Sequence, residues 1–183
     1  MSSSDSHSRV AILPATLEDG ARFAALERAS GELFRQLDDL AWIADDDVME
    51  EADHRPFILA RTVWVARDAE AGVVGFLTAQ AVGSALHVWQ MAVHPSHQRR
   101  GLGRALLRSA AAHAREAGLS TVTLTTFRDV PWNEHFYVGL GFTRIPDDAL
   151  DDRLKEVLEH EARAGLPRER RCALWLDPRV MVD

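Results

Sequence analysis

The segment that most restricts what this chain can fold into is Val93-His94-Pro95-Ser96-His97-Gln98-Arg99-Arg100-Gly101-Leu102-Gly103-Arg104-Ala105. A β-rich run leads into it, and the most regular amphipathic pattern in the chain leads out of it. Such a strand-loop-helix junction gathers unpaired backbone N–H groups and the positive end of a helix dipole at one point. Glycines there let the backbone close on phosphate oxygens with no Cβ in the way. Arg99, Arg100, Arg104 and Arg108 fall beside the loop, in a chain of net charge −7. A local basic cluster in an acidic chain predicts one small ligand with several negative groups. It argues against a nucleic acid partner, which needs a broad basic face.

Two nucleotide-binding readings of the loop fail. A Walker A loop requires Lys-Ser or Lys-Thr after its last glycine, and here Gly103 is followed by Arg104 and Ala105. A dinucleotide fingerprint requires a third glycine, which is missing.

The rest of the chain supplies short elements of alternating type. Val10 to Leu13 reads as a strand, and Thr16 with Asp19 opens a helix running to about Ser30. Glu32 to Met49 forms a second amphipathic stretch, and the acids from Asp45 to Asp53 read as a solvated loop. Thr62 to Arg67 and Val73 to Ala81 predict an antiparallel hairpin, with Leu86 to Val93 as the next strand. Gly101 to Ala117 is a helix closed by Gly118, and Thr121 to Thr126 a β-branched strand. A short helix from Asn133, a longer one from about Asp148 to Ala164, and a strand from Arg170 to Leu176 complete the order. This predicts a mixed α/β domain with about seven strands, and not a doubly wound one.

Length and 46% hydrophobic content predict one domain over residues 9–183, after a polar tail over residues 1–8 that frays and has no signal-peptide character. No apolar run is long enough to cross a bilayer, so no membrane association is expected. One cysteine, Cys172, excludes an internal disulfide and a multi-thiolate metal site, so no metal is expected, and it suits a reducing cytoplasm.

The loop also resembles the acyl-CoA pyrophosphate loop of the GNAT superfamily of N-acetyltransferases: Gln98, Gly101 and Gly103 fill its Gln/Arg-x-x-Gly-x-Gly/Ala pattern. Gln90 to Pro95 resembles the family's fourth strand, and Tyr137 to Phe142 its Tyr-x-x-Leu-Gly-Phe segment. The resemblance implies a GNAT-like, mostly antiparallel seven-stranded sheet flanked by helices, with strands 4 and 5 splayed for acyl-CoA. It further implies acetyl-CoA as cosubstrate. The main chain of Met91, Ala92 and Val93 would meet the pantetheine arm; Gln98, Arg99, Arg100, Gly101, Leu102, Gly103 and Arg104 would form the pyrophosphate loop. Asn133 matches an asparagine that many relatives aim at the cofactor, though it stands one helical turn before Tyr137 rather than two.

By the same resemblance, the chain transfers an acetyl group by direct attack of a primary amine, with Tyr137 as the acid that protonates the departing sulfur. A small-molecule amine is the expected acceptor. The alternatives are a protein N-terminus or lysine, or an acyl-CoA sensor without chemistry. The base is left among His87, Glu134 and water. Glu27, Glu32, Phe34 and Trp42 are candidates for substrate contact, and the apolar stripe from Leu150 to Ala162 leaves a homodimer open.

Overall fold

The computed structural model describes residues 10–181, so the expected tail over residues 1–8 lies outside the described residues. It holds a seven-stranded sheet in the order β1-β2-β3-β4-β5-β7-β6, with β1 Val10–Pro14, β2 Val63–Asp68, β3 Gly72–Val82, β4 Ala85–Val93, β5 Thr121–Phe127, β6 Thr143–Arg144 and β7 Arg171–Leu176. The α-helices are α1 Phe23–Gly31, α2 Glu51–Leu59, α3 Leu102–Glu116, α4 Glu134–Val138 and α5 Asp152–Arg163. No helix among the described residues is long and apolar enough to cross a membrane. The described residues divide into two compact units: 10–79 with Gln90–Ser109, and Gln80–Trp89 with 110–181.

In the first unit, β1 and β3 both pair antiparallel with β2. Phe23, Leu26 and Ile58 from α1 and α2 pack with Val63, Val65, Val73, Phe76 and Ala92, and the Phe23 and Phe76 rings stack 4.3 Å apart. A second cluster joins Ala66, Val74 and Leu102 with Val10, Ile12 and Val93. Alternate residues of β2 thus serve opposite faces, which explains its nearly continuous apolar sequence. A β-bulge between Ala66 and Arg67 breaks the β2–β3 register. Gly75 lets β3 lie close to the end of β4: a Cβ there would sit 3.0 Å from the Ala92 carbonyl oxygen.

The first helical stretch starts at its expected cap, the Thr16 N–H donating to Asp19 Oδ2 at 2.8 Å, but it runs as a 3₁₀ turn over Leu17–Arg22 before becoming α1. Glu32 to Met49 is not a regular helix; it forms two 3₁₀ turns, Glu32–Gln36 and Ala41–Asp45. The acids expected to be a solvated loop do local work instead. Glu50 is the N-cap of α2, and its N–H donates to Asp53 Oδ2 at 3.1 Å.

In the second unit, Ala85–Val88 of β4 run parallel to Thr121–Leu124 of β5, and that ladder ends at Val88 and Leu124. β7 pairs antiparallel with both β5 and β6. Leu150, Leu154 and Leu158 pack on Ala173 and Ile145. The stripe that left a homodimer open is therefore covered within the chain and is no reason for a second subunit. Glu161 of α5 pairs with Arg171 at 3.0 Å and accepts from Thr125, while Arg171 stacks on Phe127 at 4.7 Å. This mostly buried pair is satisfied on both sides, the condition under which a buried charge is tolerated.

Candidate active site

The cofactor loop lies in the first unit. After β4 the chain makes a short 3₁₀ turn at Pro95–His97, held by the His97 N–H on the His94 carbonyl at 2.8 Å, and the His94 N–H donates to the Val74 carbonyl at 2.8 Å. The Gln98 side chain folds back and donates to the Val93 carbonyl at 2.9 Å. Gln98 thus fixes the strand-to-loop bend and presents no free amide N–H on that bond. Arg99 and Gly101 both take left-handed backbone conformations, at φ 59° and 78°, and α3 begins at Leu102. Alternation of this kind turns successive N–H groups toward one concavity, at the positive end of a 15-residue helix. Nothing lies within 4 Å of the point where a Cβ would stand on Gly101, so the hollow is open there.

Arg99 and Arg100 are exposed, and with Arg104 they form no salt bridge among the described residues. Beneath the loop, Asp68 accepts from the Ala71 and Glu70 N–H groups, which hold its carboxyl below the usual range, with His97 and Arg100 adding to the effect. Guanidinium groups beside a cradle of backbone donors are the chemistry that a diphosphate requires of a site. Met91 and Val93 are half-buried, and Ala92 between them is in the core.

The first unit also holds a pair that motif reading did not single out as a pair. Gln90 Nε2 donates to Glu27 Oε1 at 2.9 Å, linking α1 to β4 one residue before Met91. Burial pushes the Glu27 carboxyl up to about 7, against the pull of the Met49 backbone, Gln90 and Arg28; Asp46 adds to the rise.

In the second unit, Asn133 precedes α4, and its carbonyl accepts from the Phe136 and Tyr137 N–H groups. The one-turn spacing between Asn133 and Tyr137 is thus real, because the helix starts late. The Tyr137 ring meets Phe136 and Phe142 edge-on at 5.1 and 5.8 Å. The ring keeps part of its surface open, yet its surroundings desolvate the phenol and push it up to about 12, with Arg171 opposing. Tyr137 therefore stays protonated across the neutral range, the state a proton donor needs.

Neither of the two named base candidates is free for the task. His87 is 1% exposed, its Nδ1 lies 2.9 Å from Thr123 Oγ1, and burial, helped by Arg153 and opposed by Asp151, lowers it to about 4. Glu134 is held by the Arg144 guanidinium, 2.6 Å from Oε1 to Nε. Cys172 is fully buried, and burial pushes its thiol up to about 11, which leaves it unreactive. No cluster of metal-binding side chains occurs among the described residues.

Residues 60–144 match the family model described as Acetyltransferase (GNAT) domain. The uncharacterized N-acetyltransferase ycf52 of Pyropia yezoensis is 35% identical over 82 residues, 44% of this chain and 45% of that protein. The amino-acid acetyltransferase of Enterobacter sp. (strain 638) is 34% identical over 74 residues, 40% of this chain and 16% of that one. The chain thus spans less than half the length of these curated relatives. The PaiA N-acetyltransferase of Thermoplasma acidophilum, solved in complex with coenzyme A, has a TM-score of 0.68 over 92% of this chain and 99% of that one, at 14% identity, a likeness of fold. Over residues 60–144 the chain is thus similar to the acetyltransferase domain of the GNAT family, and it shares its fold with the solved PaiA N-acetyltransferase.

Proposed function

We propose that the protein is an acetyl-CoA-dependent N-acetyltransferase that acts on the primary amine of a small molecule in the cytoplasm. The observation that carries this reading is the loop from Gln98 to Arg104, where two left-handed residues and three arginines surround the start of α3. In this reading the backbone N–H groups of Arg99 to Gly103 and the Arg99, Arg100 and Arg104 guanidinium groups hold the pyrophosphate. The main chain of Met91, Ala92 and Val93 aligns the pantetheine arm, and Asn133 contributes a polar contact to the cofactor. When bound, acetyl-CoA supplies an activated thioester.

In this reading the Met91 N–H donates to the carbonyl oxygen as negative charge grows on it. A preorganised donor of that kind contributes roughly 3 to 4 kcal/mol. Tyr137 protonates the departing sulfur. A small acceptor is favoured by the acidic charge balance, which attracts cationic amines, and by a relative that is an amino-acid acetyltransferase.

The test is release of free thiol from acetyl-CoA against lysine, spermidine, ethanolamine, an aminoglycoside and a peptide with a free N-terminus, with coenzyme A binding measured in parallel. Release on a small amine is expected. Release on the peptide alone would assign a protein substrate, and tight binding without release on any acceptor would make the protein an acyl-CoA sensor.

A further inference from the structure

We propose that Glu27 is the catalytic base of the transfer, and that Glu27 and Gln90 together form the subsite that receives the amine head group. The inference rests on the acetyltransferase reading and adds to it the residue that takes the proton from nitrogen.

Its basis is a pair of acceptor oxygens that the fold buries without a well-formed hydrogen bond, the Met49 backbone N–H approaching Glu27 but completing none. Gln90 Nε2 donates to Glu27 Oε1, but Glu27 Oε2 and Gln90 Oε1 are both buried with no hydrogen-bond partner. Buried acceptors are normally paired, so two beside one another mark a place where a donor belongs. A primary amine carries donors for both oxygens, whereas an alcohol carries one and a carboxylate none.

Helix geometry keeps Glu27 in this position. Phe23 is fully buried against Phe76 and stands four residues earlier on α1, so Glu27 sits one turn along the same core-facing side. Gln90 immediately precedes Met91 on β4, past the end of the β4–β5 ladder at Val88. An amine held by Glu27 and Gln90 therefore lies within one residue's reach of the main chain that aligns the thioester.

The electrostatics suit the role. With its carboxyl pushed up to about 7, Glu27 is poised between its two states at neutral pH and, as the carboxylate, can take one N–H proton from an amine that has entered neutral. The groups facing it are Arg28 on its own helix, Asp46 and the Met49 backbone from the segment before α2, and Gln90 from β4. Because Gln90 is a neutral amide, Glu27 faces no second, repelling carboxylate on β4. In the reaction the amine nitrogen bonds to the acetyl carbon while Glu27 takes one N–H proton. The C–S bond breaks as Tyr137 gives its proton to sulfur. Glu27 then releases its proton to solvent and Tyr137 regains one, leaving an acetamide and the free thiol.

The experiment compares wild type with Glu27→Gln on whichever panel amine releases thiol, as kcat/KM against pH. Wild type is expected to gain activity as pH rises through about 7. The Glu27→Gln variant is expected to lose that rise and to fall by about 10²-fold or more, mainly in kcat, with coenzyme A affinity unchanged. An independent measurement needs no variant: the Glu27 carboxyl carbon, followed by NMR with coenzyme A bound, should titrate near pH 7. Titration in the ordinary carboxylate range, or a Glu27→Gln variant with the wild-type rate and pH profile, overturns the assignment alone. No thiol release by wild type on any acceptor overturns the acetyltransferase reading and this assignment with it.

Discussion

His87 and Glu27 are both desolvated ionisable residues, and the same force moves them in opposite directions. Desolvation penalises the charged form, so the histidine becomes a poorer base and the carboxylate a better one. For His87 the consequence is stability. Its pKa is about 4 in the folded protein against 6.5 when unfolded, so between those values the unfolded chain binds more protons. Stability must therefore fall as pH drops from 6.5 toward 4, by roughly 3 kcal/mol from this residue. Urea unfolding across that window should show His87→Asn losing much less stability than wild type; an identical slope would mean that His87 is charged in the fold. Tyr137→Phe should lower turnover about 10²-fold with coenzyme A affinity unchanged, since the phenol is asked to give a proton and not to bind. Unchanged turnover would remove it from the mechanism. Tyr137 and the loop glycines stand out in the sequence through the family resemblance, whose motifs are local. Glu27 was legible only as one of several candidates for substrate contact, because what distinguishes it is a neighbour 63 positions away and an environment that no local pattern encodes.

Element boundaries show where local signals were enough. The strands β2 to β5 and helix α3 follow their apolar periods closely, because each has one buried face repeating at its own spacing. The buried side of α3 is Leu102, Leu106, Leu107, Ala110, Ala111 and Ala114. Helix α2 was missed altogether. It buries only His54 and Ile58, carries Pro56 inside, and opens with acids that read equally well as a loop. A helix held by caps and two contacts has little periodicity to detect. Helix α5 is the opposite case, and its packing is testable: Leu158 is fully buried, so Leu158→Ala should cost about 2 to 5 kcal/mol by thermal or urea unfolding. A cost below about 1 kcal/mol would mean that α5 is not docked on β7. At the loop, Gly101→Ala meets no neighbour but must hold φ 78°, so it should cost only about 1 to 2 kcal/mol in stability. Its larger effect should be on calorimetric coenzyme A affinity, by tenfold or more, if the left-handed turn forms the pyrophosphate cradle.

At the scale of the whole molecule, the two compact units are not consecutive pieces of chain. Strands β3 and β4 and helix α3 each begin in one unit and end in the other, at Ala79/Gln80, Trp89/Gln90 and Ser109/Ala110. A strand or helix cannot melt over half its length without exposing the hydrogen bonds of the other half, so the covalent path favours one cooperative transition. One cooperative transition is what a single domain over residues 9–183 requires, and it makes a prediction. Native-state hydrogen exchange of the slowest amides in β2, in the first unit, and β7, in the second, should give the same opening free energy and the same dependence on denaturant. Coenzyme A at about 100 times its Kd should then raise both by roughly 2.7 kcal/mol, although the loop proposed to bind it belongs to the first unit alone. A rise confined to β2, or two separate opening energies in the free protein, would mean that the units fold independently despite the three elements that run through both.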